Sequence, residues 1–73
     1  MEIYFSRHAK RQMKWRKISE EDVKNTFYNP DTIGNSIKGR KNVFKHIGEK
    51  LIKVTYIKEN DKIVIITVID KNK

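Results

Sequence analysis

Three polar side chains spaced by four residues near the amino end are the first candidates for chemistry in this sequence. His8, Gln12 and Arg16 stand four residues apart, so on an α-helix they form one row of neighbours. An imidazole and a guanidinium in that row could hold a phosphate, and Trp15 on the same flank could stack on a base. The alternative is that His8 only bonds a neighbouring strand, and that Trp15 lies at the margin of the core.

The positive charge of the chain is concentrated in two segments. The 73 residues include 17 Lys and Arg against 9 Asp and Glu, a formal net charge of +8. Segments 7–17 and 38–45 contain no acid. This clustering favours a polyanion as partner, because bound phosphates release condensed counterions; a charge that serves only solubility is the alternative. The basic residues of the two segments are Arg7, Lys10, Arg11, Lys14, Arg16, Lys17, Lys38, Arg40, Lys41 and Lys45.

Other chemistries have little support in the sequence. The chain has no cysteine, its three glycines form no phosphate-binding loop, and its two histidines have no acidic cluster beside them. The adjacent acids at positions 20–22 are explained by their place at the start of a helix. We therefore expect no metal and no other cofactor.

Helix signals occupy the first part of what we interpret as a single domain, residues 1–73. Ser6 is a candidate N-cap for a helix that runs to about Lys17, and Ser19 is a candidate N-cap for a second one. Pro30 ends the second helix, because the residue before a proline disfavours helical backbone.

Strand signals follow the proline. Segments 40–47, 51–58 and 63–69 are predicted to be strands joined by tight turns at "GEK" and "ENDK". Residues 2–5 form either a short strand or an extended lead-in, and residues 32–39 are predicted to be a short, irregular extended segment. The expected fold class is α+β, with two N-terminal helices packed on a three- to four-stranded antiparallel sheet.

The last predicted strand does not alternate between apolar and polar residues. Every position from Ile63 to Ile69 is β-branched, which indicates an interior strand with both faces covered. Two helices cover one face. Chain curvature and the irregular segment could cover the other, and so could a partner protein or a second copy of the chain, which we favour.

The stretch "HAKRQMKWRKISEEDV" resembles the signature of a small uncharacterised domain family, His-Ala-x-x-(Arg/Gln)-Met-x-x-Arg-Gly-Ile-Ser-x-x-x-Val. "LIKVTY" and "IVIITV" resemble the closing strands of that family. Such domains look like compact relatives of RelE-type toxins and of barnase–EndoU–colicin–RelE ribonucleases, which are often partnered with antitoxins. The resemblance implies a RelE-like fold with an RNA-facing site. It nominates His8, Gln12, Arg16, Tyr56 and Thr67.

The sequence departs from that signature at two positions. Lys17 stands where a glycine is usual, so the break between the helices is expected to differ. Gln12 stands where arginine is common, which removes one phosphate contact and weakens the case for catalysis.

Metal-free cleavage of RNA needs a base, an acid and a cation near the developing phosphorane charge. The candidate catalytic residues are His8, Arg16, His46 and Tyr56. The alternatives are an exposed strand residue at His46 and a core ring at Tyr56. The candidate nucleic-acid contacts are Arg7, Arg11, Gln12, Trp15, Lys38, Arg40, Lys41, Lys45 and, from the resemblance, Thr67, for which a buried strand position is the alternative.

These observations lead to one functional expectation and two alternatives. We expect a cytoplasmic, metal-independent endoribonuclease of a toxin–antitoxin system, acting on RNA such as ribosome-associated mRNA. An antitoxin or a second copy would bind through the sheet, and no membrane is involved. The alternatives are a non-catalytic RNA- or DNA-binding module and a partner-binding domain, so the sequence leaves enzymatic activity open.

Overall fold

A single sheet with two preceding helices forms the fold in the computed structural model, which describes residues 2–72. The sheet order is β1-β5-β4-β3-β2, with β1 parallel to β5 and every other neighbouring pair antiparallel. The elements in chain order are β1 (Glu2–Phe5), α1 (Arg7–Arg16), α2 (Glu20–Tyr28), β2 (Thr32–Asn35), β3 (Lys41–Ile47), β4 (Lys50–Glu59) and β5 (Lys62–Asp70).

The prediction of a three- to four-stranded antiparallel sheet is wrong in number and in direction. Residues 2–5 are a true strand, paired in parallel with β5 so that Ile3 faces Ile63. Residues 32–35, predicted to be irregular, form β2 against β3. Both additions are four-residue edge strands. Because their order comes from pairing with a long neighbour, their own residue patterns carry a weak signal.

Both helix starts are confirmed. The hydroxyl oxygen of Ser6 accepts a hydrogen bond from the Ala9 N–H at 3.0 Å, and that of Ser19 accepts one from the Asp22 N–H at 3.0 Å. Between the helices, Lys17 adopts the left-handed conformation with φ of 55°. Glycine adopts that conformation without strain, so the lysine at this break carries a strain that a glycine would avoid.

The hydrophobic core lies between the helices and one face of the sheet. In β4, Ile52 and Val54 are buried and Tyr56 packs against the same cluster, as the two-residue alternation predicts. Ala9 and Met13 of α1 belong to the same core cluster. The buried apolar residues are Ala9, Met13, Ile18, Val23, Val43, Ile52, Val54, Ile63, Ile65 and Val68.

The opposite face of the sheet, the open face, carries no helix among residues 2–72 and holds both apolar and polar side chains. The interior position of β5, between β1 and β4, is confirmed. On this face Ile57 lies opposite Val64 and Lys53 opposite Ile69, and all four are half-buried. Both helices of residues 2–72 contribute to the core on the other side. The β2 segment is an edge strand of the same sheet rather than a cover for this face, and Thr55 on this face is nonetheless buried.

A bulge in β5 fastens α1 to the sheet. Thr55 faces Thr67 but the next residue, Tyr56, faces Ile65, so Ile66 is an extra residue in β5. The Ser6 hydroxyl donates to the Ile66 carbonyl at 3.0 Å. The carbonyl of the bulged residue is thereby bonded to the N-cap residue of the helix.

Gln12 makes the second bond to this strand. Its Oε1 accepts a hydrogen bond from the Val68 N–H at 2.9 Å. We expect Gln12→Leu to lower the free energy of unfolding by about 1–3 kcal/mol, because a part-buried N–H is left without a partner. Gln12→Glu retains an acceptor oxygen and should recover most of the loss in chemical denaturation. Equal losses in the two variants would contradict this role.

Candidate nucleic-acid interface

A cavity of about 230 Å³ lies at the end of the sheet where β4 finishes and β5 begins. We call it the lysine–tyrosine cavity. Strands β3 and β4 supply its polar side chains, helix α2 supplies an aromatic ring, and the loop between β2 and β3 forms its edge. It is lined by Phe27, Gly39, Lys41, Tyr56, Lys58 and Ile63.

The strand register brings the polar residues of this cavity together. Lys41 in β3 lies directly opposite Tyr56 in β4, and Lys58 follows two residues later, so the three side chains share one face. Both lysines are exposed, whereas Tyr56 is half-buried. The phenol ring therefore forms the floor, and the two ammonium groups lie at the rim.

Aromatic rings form one wall. The ring of Phe27 meets that of Tyr56 edge to face, with centroids 4.9 Å apart and planes at 84°. Tyr28, which is 59% exposed, meets Phe27 at 5.0 Å. Edge-to-face contact is a favourable arrangement of aromatic rings, so these rings stabilise one another in the wall of the cavity.

The loop at the edge of the cavity is a tight hairpin turn rather than an irregular segment. Lys38 and Gly39 have φ of 57° and 74°, and the Arg40 N–H donates to the Ile37 carbonyl at 3.2 Å. Two central residues with positive φ are typical of the type I′ turn, which fits the twist of paired strands. The turn keeps the exposed cations Lys38 and Arg40 beside Lys41.

A second, larger cavity of about 610 Å³ lies at the opposite end of the sheet. We call it the arginine cleft. The carboxyl end of α1, the turn between β3 and β4, and the end of β5 meet there. It is lined by Trp15, Arg16, Lys17, Glu49, Lys50, Asp70 and Asn72.

The predicted catalytic residues do not share one site. Arg16 lines the arginine cleft, whereas Tyr56 lines the lysine–tyrosine cavity, and the two cavities have no lining residue in common. Within residues 2–72, neither His8 nor His46 lines either of them. The structure therefore does not bring His8, Arg16 and the later basic loop around one hollow.

His46 is held by an acid instead. Its backbone N–H donates to Oδ2 of Asp31 at 2.9 Å, and its Nδ1 lies 3.6 Å from the same oxygen. The side chain is 67% exposed at the carboxyl end of β3. This matches the alternative of an exposed strand residue. His8 is exposed near the start of α1.

Three predicted nucleic-acid contacts are engaged in the fold. Gln12 uses its acceptor oxygen on Val68, as described above. The Lys45 ammonium donates to the Asn29 carbonyl at 2.9 Å and lies 3.5 Å from Asp31. Thr67 is half-buried opposite Thr55, on the open face of the sheet and away from both cavities. For these three the structure provides a structural reason for the residue type.

The other predicted contacts are free to meet a ligand. Arg7 and Arg11 are exposed on α1, and Trp15 is 72% exposed. Within residues 2–72 the ion pairs all involve Asp31, which meets Lys45 and His46. The basic residues of α1 and of the β2–β3 loop therefore have no carboxylate at ion-pairing distance in that part of the chain.

The sequence interpretation missed several residues of the two cavities. Lys58 and Phe27 belong to the first cavity, and Lys50 and Asp70 to the second. Lys58 could have been found, because it stands two residues after Tyr56 in a predicted strand and so shares its face. The approach of Asp70 to Arg16 depends on the three-dimensional path of the chain.

Asp31, which precedes β2 and accepts a hydrogen bond from the end of β3, gives a prediction on the pH dependence of stability. The hydrogen bond from the His46 N–H holds the pKa of Asp31 below its ordinary value, and the nearby Lys45 acts in the same direction. A lowered pKa means that the carboxylate stabilises the fold above its ordinary pKa, about 3.9, and that this stabilisation disappears as the pH falls through the lowered value. Asp31→Asn should therefore lower the melting temperature at neutral pH but not in strong acid.

Thermal unfolding of Asp31→Asn and wild type across the acid range measures this effect. Asp61→Asn, in the turn between β4 and β5, is the control for loss of an exposed carboxylate. A deficit that persists unchanged into strong acid would contradict the assignment.

These features define the class of protein: a small, strongly basic α+β domain with a mixed five-stranded sheet and a lysine-rimmed aromatic cavity. In residues 2–72, neither helix has the length and apolar character needed to cross a bilayer. A family described as "Domain of unknown function (DUF4258)" matches residues 5–70, and the chain belongs to this family.

The match confirms the prediction that the chain resembles a small domain family of unknown function. No curated protein and no solved structure matches the chain. The RelE-type likeness and the motif pattern quoted above stay predictions.

Proposed function

We propose that this domain binds single-stranded RNA, and that the lysine–tyrosine cavity is where the strand is held. The observation that carries the proposal is that two exposed lysines line the same cavity as two packed aromatic rings. Lys41 and Lys58 stand at the rim of a cavity whose floor is Tyr56. Single-stranded nucleic acid is bound by this combination, cations for the phosphates and rings for the bases.

The cavity suits one nucleotide unit better than a duplex. The cavity has a volume of about 230 Å³ and lies between the two rings and the loop at Gly39. A splayed base could lie against the Tyr56 and Phe27 rings while its phosphate meets Lys41 or Lys58. Bases are accessible in this way in single strands and loops. The cations Lys38 and Arg40 on the adjoining turn would follow the phosphates of the next nucleotides.

Binding is the better supported half of the expected ribonuclease function. Cleavage needs proton transfer at the scissile phosphate, and within residues 2–72 neither histidine lines the cavity. Tyr56 is the one side chain of the cavity lining that bears a hydroxyl. We therefore propose an RNA-binding domain, and we place toxin-type cleavage as an activity to be measured in the same assay.

Fluorescence anisotropy with a labelled ten-nucleotide RNA tests the proposal. The assay contains EDTA and is run over a series of salt concentrations, with single-stranded DNA and duplex RNA of equal length beside it. We expect single-stranded RNA to bind more tightly than duplex RNA, with an affinity that falls steeply as salt rises. Negligible binding of RNA at low salt would overturn the proposal. The recovered RNA is then run on a denaturing gel, where intact strands indicate binding without cleavage.

A further inference from the structure

The arginine cleft has the features of a second binding site, separate from the lysine–tyrosine cavity. Its volume of about 610 Å³ lies in the range of small-molecule sites, which are typically several hundred Å³. Three elements contribute to its lining: α1 through Trp15 and Arg16, the β3–β4 turn through Lys50, and the end of β5 through Asp70. Side chains that are distant in sequence therefore converge on one space.

The cations of this cleft form no ion pair with the acids that line it. Arg16, Lys17 and Lys50 line it together with Glu49 and Asp70, yet within residues 2–72 none of these groups forms an ion pair. The Nε of Arg16 is buried and has no hydrogen-bond partner in the same range. A ligand cannot reach this buried atom, but the terminal nitrogens of the same guanidinium have no carboxylate at ion-pairing distance within residues 2–72. These terminal nitrogens are the donors that an anionic ligand in the cleft would meet.

Of the two carboxylates in the cleft, that of Asp70 is held by backbone hydrogen bonds. Asp70 is 7% exposed. Its Oδ1 accepts hydrogen bonds from the backbone N–H groups of Leu51 and Asn72, at 3.2 and 3.0 Å. Its other oxygen is left to accept from a ligand hydroxyl. A ligand that satisfies the whole cleft must therefore combine an anionic group with hydroxyl donors.

The aromatic component is Trp15. Its ring is 72% exposed although it lines the cleft beside Arg16. An exposed tryptophan next to unpaired cations is an arrangement on which a base can stack.

We propose that the arginine cleft binds a nucleoside monophosphate. Arg16 and Lys50 bind the phosphate, Asp70 accepts from the ribose hydroxyls, and Trp15 stacks on the base. The same chemistry could come from a free nucleotide or from the 5′-phosphorylated end of an RNA strand. The site shares no lining residue with the lysine–tyrosine cavity and does not depend on the RNA binding proposed there.

Trp15 provides a direct readout, because it is the only tryptophan of the sequence. Purified full-length protein is titrated with AMP, with adenosine and with inorganic phosphate while its fluorescence is recorded. We expect saturable quenching by AMP, and at least tenfold weaker binding of adenosine and of phosphate, since each of these lacks part of the ligand. The absence of saturable quenching by AMP would overturn the proposal.

Matched substitutions locate the site. Arg16→Gln and Lys50→Ala should each weaken AMP binding at least tenfold. Lys53→Ala removes the same charge from the opposite face of β4 and should leave it unchanged. Lys50 is at the end of its strand, so its variant remains informative if Arg16→Gln unfolds, which circular dichroism would reveal. If AMP binds equally well to wild type and the Lys50 variant, the assignment is wrong.

Two RNA strands identical except for a 5′-phosphate or a 5′-hydroxyl distinguish the sources of the ligand. Tighter binding of the phosphorylated strand, lost in Lys50→Ala, supports the strand end as ligand. Equal binding of the two strands, with AMP binding retained, supports the free nucleotide. The AMP titration tests the arginine cleft independently of the first proposal. If RNA does not bind at the lysine–tyrosine cavity, the AMP result is unaffected.

Discussion

Replacing Lys41 and Lys58 together by alanine is expected to weaken the binding of single-stranded RNA about 25-fold at 0.1 M salt. Each lysine that contacts a phosphate displaces about 0.7 of a counterion from a single strand. Losing two contacts therefore makes the negative slope of log K against log salt shallower by about 1.4. At 0.1 M salt this corresponds to a loss of affinity of about 25-fold. Both lysines are exposed, so the fold should survive. Anisotropy titrations at several salt concentrations give the affinity and the slope together.

The matched control for this variant is Lys10→Ala with Lys14→Ala. These residues are exposed on α1, and their removal lowers the net charge by the same amount. We expect a clearly smaller loss of affinity, because they lie away from the cavity and contribute only to the general attraction. Equal losses in the two double variants would mean that RNA is held by total charge rather than at this cavity.

Replacing Ile52 by alanine is expected to destabilise the fold by about 3 kcal/mol, the usual cost of removing a fully buried isoleucine side chain. Ile52 is 0% exposed in the core of the sheet. A domain of this length has a total stability of about 4–11 kcal/mol, so the variant loses a large part of it. Urea denaturation followed by circular dichroism measures the change in the free energy of unfolding.

Ile57 provides a control of the same residue type on the same strand. It lies five residues further along β4, on the open face opposite Val64, and is half-buried. Because it removes less buried surface, Ile57→Ala should cost about 1 kcal/mol. A cost equal to that of Ile52→Ala, and dependent on protein concentration, would show that a second copy of the chain covers this face in solution.

Much of the fold is readable from the sequence wherever the signal is local. Ser6 and Ser19 mark helix starts through a side-chain oxygen that serves the backbone three residues on. The β-branched run from Ile63 to Ile69 marks an interior strand. In each case neighbouring residues determine the structure, so a pattern of a few positions is sufficient.

The pairing of β1, the edge strand β2 and the bulge could not be read in this way, although a strand at residues 2–5 was one of the two alternatives. Ile33 in β2 is 66% exposed, so the strand shows no buried face by which to recognise it. The bulge at Ile66 shifts the β5 side chains by one position relative to β4, and the Ile66 carbonyl is bonded to the hydroxyl of Ser6, which is distant in the sequence. Strand pairing and tertiary hydrogen bonding decide both features, and neither is contained in a local pattern.

The candidate site was predicted in part for the same reason. Tyr56 and Lys41 were named from the sequence, and the register of β3 and β4 brings them face to face. The row of His8, Gln12 and Arg16 assumed that helical neighbours share one task. In the structure Gln12 bonds β5 and Arg16 lines the distant cleft. Spacing identifies which side chains lie together on a helix, but not what each one contacts.

The central claim is that RNA is held at the lysine–tyrosine cavity. An NMR titration of isotope-labelled protein with a ten-nucleotide single-stranded RNA tests it most directly. We expect the largest amide shift changes at Gly39, Lys41, Tyr56 and Lys58, with small changes along the outer surface of α1. Changes confined to α1, with the cavity residues unmoved, would contradict the account.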